Sequence, residues 1–188
     1  MIVLKVDHDI QLKQLVREDA DVIFMAIDEN RDHLRTWLPF VDMTRSVENS
    51  RSYIHSLNET NCPKKDMVFR IDYRDEFAGL IGLKEIDQLN KKTELGYWLT
   101  QKMQGKGIIM RSSRALIRYS FEELEMNRIQ VKVAAGNEKS KQLPFRLKFH
   151  FEGLERHGEL VNGKFLDLQV FSLLKKEWIQ FKKYDQSG

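Results

Sequence analysis

Glu94-Leu-Gly-Tyr-Trp-Leu-Thr-Gln-Lys-Met-Gln104-Gly105-Lys106-Gly107-Ile108-Ile109-Met110 runs an extended apolar segment into a glycine-containing turn and then into a helix. A chain builds an anion site this way. Glycines one residue apart let the backbone approach a phosphate closely, and the unpaired N–H groups of the helix's first turn then point at it, backed by the positive end of the helix dipole. The expected ligand is a phosphate-bearing cofactor held by the backbone of Gln104, Gly105, Lys106, Gly107, Ile108 and Ile109. The turn is neither a Gly-x-x-x-x-Gly-Lys-Ser/Thr loop nor a Gly-x-Gly-x-x-Gly dinucleotide fingerprint. A plain strand-to-helix connection is the competing reading, so the decision rests on the rest of the chain.

Upstream, Met67 to Tyr73, Phe77 to Ile86 and Thr93 to Thr100 read as three strands with short links, an antiparallel meander. Downstream, a helix from Gly107 to Glu125 turns Ile108, Ala115, Leu116, Tyr119 and Leu124 to the sheet, and Arg128 to Val133 supplies the next strand. Strand, helix, strand demands a crossover and hence a parallel pair, with a crevice beyond the carboxyl ends. Toward the N-terminus, Ile10 to Val16 alternates as a strand. Glu18-Asp19-Ala20 then opens a helix that buries Val22, Ile23, Ala26 and Ile27 and ends near Asn30, and a short piece through Leu34 is stopped by Pro39. Ser46 caps a helix through Leu57 with Val47, Tyr53, Ile54 and Leu57 at helical spacing. The last third reads as a helix from Glu138 to Lys148, a strand from Phe151 to Leu160, an Asn162-Gly163 hairpin turn, a strand from Phe165 to Leu173 and a terminal helix from Lys175 to Lys183. The expected fold is mixed α/β, one domain over residues 1–188 with helices packed on a largely antiparallel sheet.

The order Gln104-x-x-Gly107-x-Ile109, after a strand ending in Tyr97-Trp98-Leu99, resembles the Gln/Arg-x-x-Gly-x-Gly/Ala pyrophosphate loop of the GNAT superfamily of acetyl-CoA-dependent N-acetyltransferases. Asn30-Arg31-Asp32-His33-Leu34-Arg35-Thr36-Trp37-Leu38-Pro39 is similar to the segment after the first helix in the Rim-type branch, which acetylates ribosomal-protein N-termini. Asn137-x-x-Ser140 and Leu147-Lys148-Phe149-His150-Phe151-Glu152-Gly153 resemble that branch's helix start and closing motif. Two positions depart from the pattern: Ile109 replaces Gly or Ala, and Lys148 replaces Gly. The resemblance spans Ile10 to Trp178 and implies a GNAT-like fold: a central, mostly antiparallel, partly parallel twisted sheet with helices on both faces. Acetyl-CoA is the implied co-substrate.

Composition narrows the function classes. At 188 residues and 41% hydrophobic, the chain fits a single compact unit. No apolar run approaches the roughly 18 residues of a membrane span, and Asp7 comes too early for a signal peptide, so a soluble, cytoplasmic enzyme is the simplest expectation. Thirty-one basic and 28 acidic residues are too balanced to mark a sequence-specific nucleic-acid binder. A lone Cys62 excludes an internal disulfide, and five histidines without ligand spacing predict no metal site.

Acetyl transfer to an amine needs a diphosphate clamp, a polarised thioester, a neutral amine and a proton for the leaving thiolate. The resemblance assigns the pantetheine arm to backbone groups of Trp98, Leu99 and Thr100, and the acid to Ser140 beside Asn137, for which simple helix capping is the other reading. Glu94, on the strand leading to the loop, is the candidate base acting through water; a solvent-facing residue paired with a cross-strand lysine is the alternative. Trp37 is expected to wall the acceptor cleft. Arg31 and Arg35 either meet the acceptor or pair with Asp28 and Asp32. The acceptor is expected to be a protein N-terminus. A small amine such as a polyamine or aminoglycoside, drawn to Asp28, Glu29, Asp32 and Asp42, is a second reading, and a non-catalytic acetyl-CoA-binding module is a third. The terminal hairpin offers an edge for a homo-oligomer.

Overall fold

In the computed structural model, which describes residues 1–57 and 65–185, eight strands form one sheet. Two N-terminal strands, β1 (Val3–Lys5) and β2 (Ile10–Gln14), precede helices α1 (Ala20–Glu29), α2 (Arg31–Leu34) and α3 (Val47–Leu57). A meander follows of β3 (Lys65–Tyr73), β4 (Glu76–Asp87) and β5 (Lys92–Leu99), then helix α4 (Ile108–Glu122) and strand β6 (Arg128–Ala134). Helix α5 (Glu138–Arg146), the hairpin β7 (His150–Val161) and β8 (Lys164–Leu174), and α6 (Lys175–Asp185) complete the chain. The sheet order is β1-β2-β3-β4-β5-β6-β8-β7. Every pairing is antiparallel except β5 with β6.

Strand β1 is absent from the sequence reading because three residues show no period; its pairing with β2 defines it. A 3-10 turn over Arg17–Asp19 occupies the expected first turn of α1. Tyr53, expected on the buried face of α3, is 42% exposed, while Ile54 is buried. Cys62 lies outside the described residues.

Two apolar layers sandwich the sheet. Helix α4 covers one face, where Ile108, Leu116, Ile117 and Phe121 join Ile10, Phe69, Ile81, Leu95, Ile129 and Phe171. Helices α1 and α3 cover the other face over β3, β4 and β5, with Ile23, Ile27 and Ile54 against Val68, Leu80 and Trp98. Being apolar on both sides, β4 is buried along Ala78 to Leu83, as a central strand must be. The β7 strand is different. It is the free edge, and Phe151, Leu154 and Leu160 are about half exposed.

The parallel contact is short. Lys92, Thr93 and Glu94 pair with Arg128, Ile129 and Gln130, and beyond Glu94 the two strands part. The resulting seam, open toward the carboxyl ends, positions everything that follows.

Candidate active site

The loop after β5 is held open by its own backbone. A 3-10 turn over Gln101–Met103 leads into Gly105 and Gly107, with φ of 74° and 69°. This left-handed conformation is free for glycine, and a Cβ at either position would meet nothing within 4 Å. Gly107 is the N-cap of α4. Among the described residues, the N–H groups of Gly105, Lys106, Gly107, Ile108 and Ile109 take no hydrogen-bond partner, leaving a cluster of donors at a helix N-terminus. Ile109, the departure in the motif, turns its side chain onto the main core and leaves the amides untouched. Lys106 Nζ sits 5.6 Å from the centre of the Tyr73 ring rather than free in solvent.

Along the seam, register corrects the expected pantetheine contacts. Thr100 donates its N–H to the Ala78 carbonyl (2.9 Å), which places its backbone on the β4 side. Strand alternation puts Trp98 on that same side, so the groups facing the gap belong to Leu99 and to Tyr97, which the sequence reading passed over. The Thr100 hydroxyl is buried without a hydrogen-bond partner at the mouth of the loop.

Across the gap, Asn137 caps α5 by accepting from the Ser140 N–H (3.1 Å). The Tyr97 hydroxyl spans the seam and donates to the Ser140 carbonyl (3.2 Å). Burial pushes the Tyr97 hydroxyl well above the ordinary phenol range, so it remains a donor. Capping and placement of Ser140 are therefore one arrangement, and among the described residues no group takes the Ser140 hydroxyl. At its far end α5 keeps the glycine geometry without the glycine: Lys148 has φ of 62°, and the bonds Lys148 N–H to Phe145 O (3.1 Å) and Phe149 N–H to Pro144 O (2.9 Å) form a Schellman motif.

Glu94 lies at the closed end of the seam, in the last paired position. Lys84 Nζ approaches its carboxylate at 3.5 Å and the Gln130 amide donates to it at 3.3 Å, so the cross-strand lysine pairing is present. A second carboxyl escaped the sequence reading. Glu159, on β7, is half-buried, and burial followed by the repulsion of Glu94 raises it above the ordinary carboxylate range, against the opposing pull of Lys84 and Lys132. Only the pairing of β8 between β6 and β7 brings it there, 65 residues from Glu94 in the chain, so no local signal marks it.

Trp37 faces Gly136, whose Cβ, if present, would sit 3.4 Å from the indole. Together with Ala134, Ala135, Phe165 and Asp167 they line a cavity of about 340 Å³ at the carboxyl end of β6, immediately before Asn137. His157 stacks on Phe165 (5.5 Å, 18° between planes) and donates its backbone N–H to Asp167. Asn162, at the hairpin turn, donates to the Arg35 carbonyl at 2.5 Å and joins hairpin to α2.

The two arginines do not reach this cavity as recognition groups. Arg31 donates to the carbonyls of Val41 and Thr44 and to Asp28; Arg35 grips Asp42 through two nitrogens, not Asp32. These pairs also remove Asp28 and Asp42 from the carboxylate cluster expected of a polyamine site. Away from the seam, Asp7, His8 and Asp9 bring three potential metal-ligand atoms within 4.8 Å of one another, but Arg111 and Arg74 pair with the two carboxylates.

Known proteins resemble this chain in sequence and fold. The sequence matches the acetyltransferase (GNAT) domain over residues 9–150. The Bacillus subtilis protein YdaF is 38% identical over 179 residues, covering 95% of this chain and 98% of its own. A ribosomal-protein-serine acetyltransferase of Escherichia coli is 28% identical over 90% of this chain and 94% of its own, and a spermidine N(1)-acetyltransferase of the same organism is 26% identical over 84% and 82%. Among solved structures, the microcin C7 self-immunity acetyltransferase MccE, in complex with acetyl-CoA and AMP, superposes with a TM-score of 0.84 at 26% identity, covering 90% of this chain and 94% of that one.

Proposed function

The chain belongs to the GNAT acetyltransferase family, and from that premise we propose that it transfers the acetyl group of acetyl-CoA to the α-amino group of a protein N-terminus, with a ribosomal protein as the acceptor class. The observation that carries the reading is the seam itself: a cluster of unpaired loop amides on its β5 side, the Ser140 hydroxyl on its β6 side, and the cavity beside Trp37 at the carboxyl end of β6.

In this reading the amides of residues 105–109 bind the diphosphate, and the gap-facing backbone of Tyr97 and Leu99 lies along the pantetheine arm. An α-amine has an unperturbed pKa of about 7.7–8.0, so a carboxylate acting through water suffices to take its proton. Glu94 and Glu159 divide that role. Glu94 is held by Lys84 and Gln130, while burial raises the Glu159 carboxyl above the ordinary carboxylate value. The amine nitrogen, its proton taken through water by the carboxylate, bonds to the thioester carbon, the carbon–sulfur bond breaks, and Ser140 passes its proton to the departing thiolate and recovers one from water.

Free-thiol release from acetyl-CoA against peptides with Ser, Ala or Met N-termini, with spermidine and an aminoglycoside alongside, tests the assignment. Peptide-selective turnover is expected. Turnover of spermidine alone moves the acceptor to the small-amine class, which the spermidine acetyltransferase relative favours and the paired Asp28 and Asp42 oppose. CoA binding without turnover of any amine leaves a binding module. We also assign self-association to the free β7 edge with its exposed Phe151, Leu154 and Leu160; sedimentation as a monomer rejects it.

A further inference from the structure

Helix α2 touches both halves of the site. The turn that follows it carries Trp37 to the acceptor cavity and is joined to the hairpin through Arg35 and Asn162. On its other side it reaches the phosphate loop. The Asn30 side chain, at the break between α1 and α2, donates through Nδ2 to the Ala26 carbonyl (2.8 Å) and accepts through Oδ1 from the Gln101 N–H (2.8 Å). One amide thus closes the end of α1 and anchors the first residue of the loop. One turn later, His33 Nε2 meets the Gln104 amide at 2.5 Å. Both side chains are partly buried, and 71 residues of chain separate the partners in each contact.

We propose that Asn30 and His33 are positioning residues that fix the diphosphate loop from the acceptor side, so that acetyl-CoA binding and ordering of the acceptor wall are coupled. The inference rests on the acetyl-CoA reading of the loop. Gly105 and Gly107 give the loop its shape but no rigidity, since glycine has the largest backbone freedom to lose. With no Cβ contacts to steady it, the loop keeps its donors converged only if its flanks are tied. Gln101 and Gln104 are those flanks, and Asn30 and His33 hold them. Coupling of this kind is reciprocal: whatever CoA gains from an ordered α2, α2 gains from bound CoA. Neither residue is placed to touch the reacting atoms, so the effect falls on binding and not on chemistry.

The test measures CoA affinity by calorimetry, and acetyl-CoA KM with kcat, in wild type, His33→Ala, Gln104→Leu and the double variant. Loss of one partly buried hydrogen bond predicts a CoA dissociation constant about three- to tenfold weaker in each single variant, with kcat at saturating acetyl-CoA held within about twofold in His33→Ala. The double variant is expected to lose no more than either single one, and His33→Gln, which can still meet the Gln104 amide, to recover most of the affinity. Hydrogen exchange supplies the reciprocal reading: CoA slows exchange over residues 30–38 in wild type and fails to do so in His33→Ala. Thermal melts confirm that each variant is folded; if His33→Ala is not, Gln104→Leu, changed from the loop side, carries the test. Unchanged CoA affinity in both single variants, or additive losses in the double, overturns the linkage. Wild-type protein that binds no CoA sinks the acetyl-CoA reading instead.

Discussion

The two sides of the seam are built from different materials. On the β5 side the groups proposed to hold the cofactor are backbone amides at the end of a strand buried between two helical layers, and their direction follows from two left-handed glycines. On the β6 side they are side chains: Ser140 at a helix start, Glu159 on an edge strand, and Phe165 and Asp167 on a hairpin whose outer strand has one face uncovered. Backbone binding tolerates exchange of side chains and suits a cofactor that never changes. Side-chain chemistry on an exposed hairpin suits an acceptor that must be told from its rivals. In the proposed reaction that difference keeps cofactor binding on the β5 side and, Glu94 apart, catalysis on the β6 side.

The most severe challenge to that division is Ser140→Ala. If the β6 side carries the chemistry, turnover falls by about 10²–10⁴-fold while calorimetric CoA affinity holds. Unchanged turnover removes Ser140 from the mechanism. The pH profile narrows the assignment of the base: Glu159 is raised by burial, so its acid limb in kcat lies above the ordinary glutamate value of about 4.3, and Glu159→Gln should displace that limb and leave only the share carried by Glu94.

Next in size is a change on the rigid side. A Cβ at Gly79, where φ is 155°, would stand 2.1 Å from the Trp98 carbonyl oxygen, in backbone that has nowhere to go. Gly79→Ala should cost about 3 kcal/mol in chemical denaturation, and any folded fraction should bind CoA poorly because β5 is displaced.

On the hairpin side, Arg128 holds Glu152 at 2.5 and 2.6 Å and, with Ser172, depresses its carboxyl to about 2. A depressed carboxyl contributes stability above its unfolded value of about 4.3, and that contribution is lost as pH falls toward the folded value. Acid titration of stability in Glu152→Gln should therefore be flatter than wild type between about pH 4.3 and about 2. A parallel slope would mean that the β6–β7 pair adds nothing to the hairpin's hold.

The smallest effect runs the other way. Lys148 occupies a left-handed position at φ of 62°, and Lys148→Gly should raise stability by about 1 kcal/mol by melting temperature, with turnover unchanged. A loss would show that the lysine side chain compensates for its backbone.

Much of this was legible from local pattern. Strand alternation, the Asn162-Gly163 turn and the crossover rule pointed to the mixed sheet, and Gly105 and Gly107 announced the left-handed turn that opens α4, because these features depend on residues adjacent in the chain. Asn137 and Ser140 were visible for the same reason: a cap and its third residue form one short motif. Arg31 and Arg35 were legible only as charges; whether a guanidinium meets a substrate or a carbonyl ten residues away depends on how Pro39 to Thr44 folds back, which no spacing records.

Apart from β1, the order of elements and the left-handed turn ahead of α4 were thus written in the chain alone, since φ preferences and hydrophobic period act over a few residues. The company each side chain keeps was settled later, by packing. Insertion of β8 between β6 and β7 brings Glu159 within electrostatic reach of Glu94, and the break at Asn30 sets His33 against Gln104. Such contacts join segments many tens of residues apart, and their geometry comes from packing the whole sheet between its helices. A charge or a hydrogen bond acts only at the distance that this packing fixes.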